Sequence, residues 1–262
     1  MLYYNFYEGP ESSSQLLVLL HGFISDQTTY EPFIEGFTKH CHVLAVDLPG
    51  HGQDESDANE TWDFPFIADS LDETLAQFER YDIYLQGYSM GGRIALYYAL
   101  YGKIALTGLI LESTSPGIQS EADREERQKV DLARAKVLEI AGLEVFVNDW
   151  EKLPLFYTQK QLPKAQQRAI REQRLSQQPE RLAKALKDYG TGFMPDMWPQ
   201  LPQLKVPTLL MTGALDQKFT RIANQMIKEI PDAQLEQIPD CGHTIHVEDA
   251  SRFDKMVLSF IN

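Results

Sequence analysis

Two cysteines in 262 residues, Cys41 and Cys241, are too few and too far apart for a disulfide framework or a cysteine-based metal cluster. That usage fits a reducing compartment. No run of about 18 apolar residues occurs, so no segment meets the length requirement of a membrane-spanning helix. The opening segment, Met1-Leu-Tyr-Tyr-Asn-Phe-Tyr-Glu8, lacks the basic flank and small-residue cleavage site of a secretory signal. These absences predict a cytoplasmic protein without stable membrane insertion. Positive charge is scarce as well: 24 Lys+Arg against 38 Asp+Glu give a net charge of -14, which argues against nucleic-acid partners and anionic membranes. Dinucleotide-binding, P-loop and His/Cys metal fingerprints are missing, so neither cofactor nor metal is expected. The oligomeric state is not legible, because an apolar face reads the same in a sequence whether a partner covers it or not.

What is present is unevenly distributed. Residues 1–116 alternate short apolar runs, at about 2–7, 15–20, 42–47, 82–87 and 106–112, with helical patterns at 64–78 and 90–100. This alternation predicts an α/β fold with a mostly parallel sheet flanked by helices. Residues 117–199 lose the strand signal. They are rich in Gln, Glu, Lys, Arg and Ala, punctuated by Gly142, Pro154, Pro163 and Pro179, and read as a helical cap inserted into the core. Strand and helix signals resume at 207–212, 221–229, 234–238 and from about 248, so residues 200–262 complete the core. The segment 117–190 carries a net charge of +2, leaving -16 on the rest, and holds seven of the eleven arginines: Arg124, Arg127, Arg134, Arg168, Arg171, Arg174 and Arg181.

Gly87-Tyr-Ser-Met-Gly91 matches G-x-S-x-G between a strand signal and a helical pattern, the setting of a nucleophile elbow. The tight turn gives both glycines a steric reason, and the helix it opens directs positive dipole toward Ser89. A serine hydroxyl needs an imidazole to take its proton, and the imidazole needs a carboxylate to orient it. His243, in Asp240-Cys-Gly-His-Thr-Ile-His246 after the last predicted strand, and Asp216, in Thr212-Gly-Ala-Leu-Asp216 after the preceding one, supply these in the order Ser, Asp, His expected of an α/β-hydrolase fold. His246 and His21 read as structural. His21-Gly-Phe23 follows a strand, and the backbone N–H groups of Phe23 and Met90 are the candidate oxyanion donors. Asp47-Leu-Pro-Gly-His-Gly52 reads as a strand-end turn. Taken singly, each cap arginine is expected to pair with a nearby glutamate. Jointly, and with Arg93 one turn after Ser89, they predict a carboxylate-bearing ligand beneath the cap.

Several motif combinations are more specific: Gly87-Tyr-Ser-Met-Gly-Gly-Arg93, the Arg124 to Asp131 segment, Asn148-Asp-Trp-Glu-Lys-Leu-Pro-Leu-Phe156 and Cys241-Gly-His-Thr-Ile-His246. With Leu20-His-Gly-Phe23 and Asp47 to Gly52, they make the chain resemble, over nearly its whole length, the 2-succinyl-6-hydroxy-2,4-cyclohexadiene-1-carboxylate synthases of menaquinone biosynthesis. The resemblance implies a lyase that eliminates pyruvate from a small-molecule tricarboxylate, an enolpyruvyl cyclohexene. In it Ser89 acts as a base activated by His243 and Asp216, Arg93, Arg127 and Arg174 bind carboxylates, and Tyr88 and Trp150 line the pocket. Arg124 either contributes to the site or neutralises Asp123 and Glu125. Two other readings share these residues: a serine hydrolase of an ester, thioester or carbon-carbon bond in a carboxylated substrate, and a noncatalytic ligand receptor, against which the complete triad argues.

Overall fold

The computed structural model describes residues 1–262. Its seven strands are β1 (Tyr4–Tyr7), β2 (Gln15–Leu20), β3 (His42–Val46), β4 (Asp82–Tyr88), β5 (Gly108–Glu112), β6 (Thr208–Gly213) and β7 (Ala233–Ile238). They form one sheet in the order β1-β3-β2-β4-β5-β6-β7. Only the β1–β3 pairing is antiparallel. The apolar runs of the inner strands β2 to β6 become buried on both faces, as crossover-connected parallel strands require, while the edge strands β1 and β7 stay part-exposed. In β2 the side chains alternate between two cores, Leu16, Val18 and Leu20 toward one face and Leu17 and Leu19 toward the other.

Helices α1 (Glu31–Phe37), α2 (Phe64–Leu75) and α3 (Met90–Tyr101) connect the first strands. The α1 segment carried no sequence-based expectation; Pro32 at its first turn and Phe33 and Phe37 buried one turn apart account for it. Between β5 and β6 lie α4 (Glu121–Ala141), α5 (Leu143–Trp150), α6 (Lys164–Leu175) and α7 (Pro179–Tyr189), with no intervening strand. Gly142, at φ +82°, turns the chain between α4 and α5. Ala135 and Leu138 of α4, Phe146 and Val147 of α5, and Leu182, Ala183 and Leu186 of α7 share a small apolar core with Ile24 from the loop after β2. That shared core seats α4, α5 and α7 over the end of β2. Asp131 of α4 is fully buried and accepts hydrogen bonds from Arg127 and the Gly192 N–H, which fixes α4 to the chain leaving α7.

The chain closes with α8 (Gln217–Glu229), a single turn α9 (Ile245–Glu248) and α10 (Ala250–Ile261). The sequence pattern placed the start of α8 near Arg221. It begins four residues earlier because the Asp216 carboxylate accepts the Phe219 N–H as an N-cap, a signal that apolar periodicity does not carry. Likewise β5 begins at Gly108 rather than at residue 106. Strand order reverses between β2 and β4: β3 lies outside β2, and the next strand, β4, lies on its other side. In a parallel α/β sheet that reversal opens a crevice at the carboxyl ends of the two strands, and Phe23 and Ser89 follow those ends.

Candidate active site

Ser89 stands between β4 and α3 at φ +50°, ψ -101°, a region that side chains other than glycine rarely enter. Holding it there costs about 1–3 kcal/mol, supplied by the surrounding packing. Its N–H donates to the Glu112 carbonyl at 2.8 Å, and its own carbonyl accepts the Thr114 hydroxyl at 2.8 Å. A Cβ on Gly91 would lie 2.2 Å from the Leu20 carbonyl oxygen, and one on Gly87 2.4 Å from that of Gly91, so the turn tolerates no side chain at either flank.

The Ser89 Oγ is 3.0 Å from Nε2 of His243, whose Nδ1 is 2.7 Å from the Asp216 carboxylate. With Nδ1–H donating to Asp216, Nε2 is left free to accept the serine proton. His243 is 1 % exposed, and Phe219 packs on its imidazole at 4.6 Å between ring centroids, so bulk water does not compete for the pair. His21 accepts the Leu48 N–H on Nε2 and therefore donates from Nδ1 to the Gly22 carbonyl, which sets the loop that carries Phe23. The Phe23 N–H has no protein acceptor, and that of Met90, the first residue of α3, has none within the helix. Phe23, Ser89 and Met90 line the same cavity at the reversal point.

These groups open into a cavity of about 540 Å³ beneath α4–α7. Tyr88, Arg93, Arg127, Trp150 and Arg174 all line it. Tyr88 packs against both His243 and His246, and its hydroxyl bonds Thr244 at 2.8 Å. Burial raises the pKa of that phenol, keeping it neutral. Trp150 stacks on Phe146 and approaches Phe23, and its indole N–H is buried without an acceptor. Arg93 Nη1 is also buried and unpaired, and burial, with Arg127 nearby, lowers its pKa to about 10. Arg174 differs: it meets Glu151 at 3.3 Å and Gln159 at 2.9 Å, so one glutamate already faces its charge.

Arg124 does not line the cavity, and its nearest carboxylate is Glu121 at 3.9 Å, not Asp123 or Glu125. The helical turn explains this, because residues three apart share a face and adjacent ones do not. Arg171 pairs with Glu151 and Arg181 with Asp54, outside the cavity lining. Two further cations line it: Arg134, which the sequence offered only as one of seven cap arginines without assigning it a carboxylate, and Lys218, which sequence reasoning left out. Arg134 stands two helical turns after Arg127 on one face of α4, a spacing that could have identified it. Lys218 follows Asp216 by two residues and had no motif to mark it.

His246 binds both oxygens of Glu112, at 2.9 and 3.0 Å, and donates its backbone N–H to the same carboxylate. Glu112 is fully buried at the end of β5. Glu112→Ala would strand the ring and backbone donors of His246 in the core, and the expected result is a loss of about 3 kcal/mol in unfolding free energy, read from urea denaturation.

No group of three His, Cys, Asp or Glu side chains is arranged to hold a metal ion, and no helix is long and apolar enough to cross a membrane. The α/β hydrolase fold family matches residues 15–250. The structure of MenH from S. aureus superposes with a TM-score of 0.98 at 56% identity, covering 100% of this chain and 98% of that one. A protein of Bacillus subtilis (strain 168) that carries, provisionally, the name 2-succinyl-6-hydroxy-2,4-cyclohexadiene-1-carboxylate synthase is 34% identical over 97% of this chain and 92% of its own length. The synthase of that name from Photorhabdus laumondii is 33% identical over 94% and 85%.

Proposed function

Because the chain belongs to the 2-succinyl-6-hydroxy-2,4-cyclohexadiene-1-carboxylate synthase family, a lyase family of menaquinone biosynthesis built on the α/β-hydrolase fold, we propose that it eliminates pyruvate from 2-succinyl-5-enolpyruvyl-6-hydroxy-3-cyclohexene-1-carboxylate. The observation that carries this reading is the hydrogen-bonded chain Ser89–His243–Asp216 opening into a cavity lined by arginines. A hydrolase of uncharged esters needs the first feature but not the second.

In the proposed reaction Ser89 Oγ removes the ring proton alpha to the succinyl ketone while its own proton passes to His243 Nε2. The C–H pair becomes a ring double bond conjugated with the ketone, the existing ring double bond shifts by one carbon, and the C–O bond to the enolpyruvyl group breaks. That group leaves as the enolate of pyruvate and is protonated, with imidazolium as the nearest donor. Negative charge on the ketone oxygen during this sequence is met by the Phe23 and Met90 N–H groups, each such donor contributing about 3 kcal/mol to barrier lowering. Asp216 orients His243 and stabilises its cationic form. Arg93, Arg127 and Arg174 bind the carboxylates, and Tyr88 and Trp150 shape the apolar walls. No cofactor or metal enters the scheme, and the cytoplasm is the proposed site of action.

The test is pyruvate release from this substrate, generated in situ by the preceding enzyme of the pathway, with p-nitrophenyl acetate hydrolysis measured beside it. Rapid pyruvate release with negligible ester cleavage supports the lyase. Pyruvate release at the background rate together with brisk ester cleavage overturns it in favour of a hydrolase. Arg93→Met is expected to raise KM at least tenfold, since a charge-assisted hydrogen bond contributes about 1.5–3 kcal/mol.

A further inference from the structure

We propose that Lys218 binds a substrate carboxylate directly, as the fourth cation of a cavity wall that receives two carboxylates of one ligand. The proposal deepens the function given above and rests on it for the ligand's identity.

Lys218 lines the cavity beside His243 and is accessible to solvent there. Its ammonium sits over the ring of Phe219, the same ring that packs on His243. The one carboxylate close to it in sequence is already occupied: Asp216 accepts from His243 on one oxygen and from the Phe219 N–H on the other. Its position is also electrostatically unfavourable. It is the second residue of α8, where the positive end of the helix dipole disfavours a cation. Crowding by protein atoms and the nearby Arg127, Arg93 and Arg134 lower its pKa. A lysine placed against local preference, without an ion-pair partner and facing a cavity, is explained by a role in binding an anionic ligand.

The charges on the walls support two carboxylates at this end. Arg93, Arg127, Arg134 and Lys218 line the same cavity, and Asp131, bound to Arg127 at 2.8 Å, is the one carboxylate in an ion pair with any of them. Against these four cations stand Asp131 and the Asp216 carboxylate beside Lys218, so two positive charges remain uncompensated, and Arg93 Nη1 is a buried donor without a partner. Across the cavity Arg174 meets Glu151, which it shares with Arg171 behind the wall, and Arg171 has Glu144 at 3.9 Å as a second partner. A ligand with three carboxylates is best accommodated with two at the Lys218 wall and the third at Arg174.

The experiment is calorimetric titration at fixed ionic strength with propane-1,2,3-tricarboxylate, an unreactive probe, alongside steady-state pyruvate release. The variants are Lys218→Met, Lys218→Arg and, as a control on the exposed far end of α8, Lys228→Met. Lys218→Met is expected to weaken probe binding about tenfold and to raise KM similarly with kcat within about twofold, while its melting temperature is unchanged or slightly raised, as relief of the dipole conflict requires. Lys218→Arg should recover much of the affinity, and Lys228→Met should bind as the wild type does. Wild-type affinity in Lys218→Met overturns the proposal, as does a wild type that binds no probe. If the wild type releases no pyruvate yet Lys218→Met still weakens the probe, the carboxylate site stands and the assigned reaction falls.

Discussion

Ser89→Ala is expected to lower the rate of pyruvate release by about 10³-fold or more while leaving KM nearly unchanged. The hydroxyl is the proposed base, and positioned proton transfer contributes about 10²–10⁴-fold. The 3.0 Å contact from Ser89 Oγ to His243 Nε2 makes the two a unit, so removing either should cost about as much as removing both. The alternative is that His243 takes the ring proton itself, with the serine a bystander. In that case Ser89→Ala would retain activity within about tenfold, and the base would be reassigned. Folding does not confound this comparison, since the substitution removes one oxygen whose recorded contact is with His243 and relaxes nothing in the turn set by Gly87 and Gly91.

Asp216→Asn is expected to cost about 10³–10⁴ in kcat with little change in stability. Asp216 has two tasks in this structure: one oxygen orients His243 at 2.7 Å, the other caps α8 by accepting the Phe219 N–H at 3.2 Å. Asparagine keeps an oxygen for the cap but can present an N–H to His243. The imidazole then favours the tautomer with its proton on Nε2, which cannot accept from serine. Asp216→Ala would lose the cap as well, adding about 1 kcal/mol of destabilisation. A pair of variants therefore separates the two tasks: equal kinetic defects, with reduced thermal stability in alanine alone. Equal melting temperatures would contradict the capping role.

The sequence made legible what local pattern controls. Apolar runs located the inner strands because parallel strands are buried on both faces, the edge strands β1 and β7 showed a weaker, part-exposed pattern, and the G-x-S-x-G turn located Ser89 because the backbone cannot make that turn with a Cβ at Gly91. The resemblance placed Arg93, Arg127, Arg174, Tyr88 and Trp150 at the site, and all five line one cavity. What stayed hidden depends on side chains brought together from distant positions. Glu151, the counter-charge of Arg174, lies 23 residues away on another element. Glu112 meets His246 across 134 residues, and neither has a periodic signal that announces the pair. Arg124 and Arg134 look alike in sequence, yet α4 turns only the second into the cavity. Lys218 was invisible because a single lysine after a turn is ordinary until its neighbours are known to be cations.

The most direct test of the account is a single-turnover comparison, with enzyme in excess, of substrate bearing hydrogen or deuterium at the ring carbon alpha to the succinyl ketone, pyruvate being quantified by rapid quench. Proton removal by Ser89 in the elimination step predicts a several-fold slower release from the deuterated substrate and no mass adduct on the protein. Equal rates for the two substrates, accompanied by an adduct on Ser89, would mean that the serine acts as a nucleophile and would contradict the account.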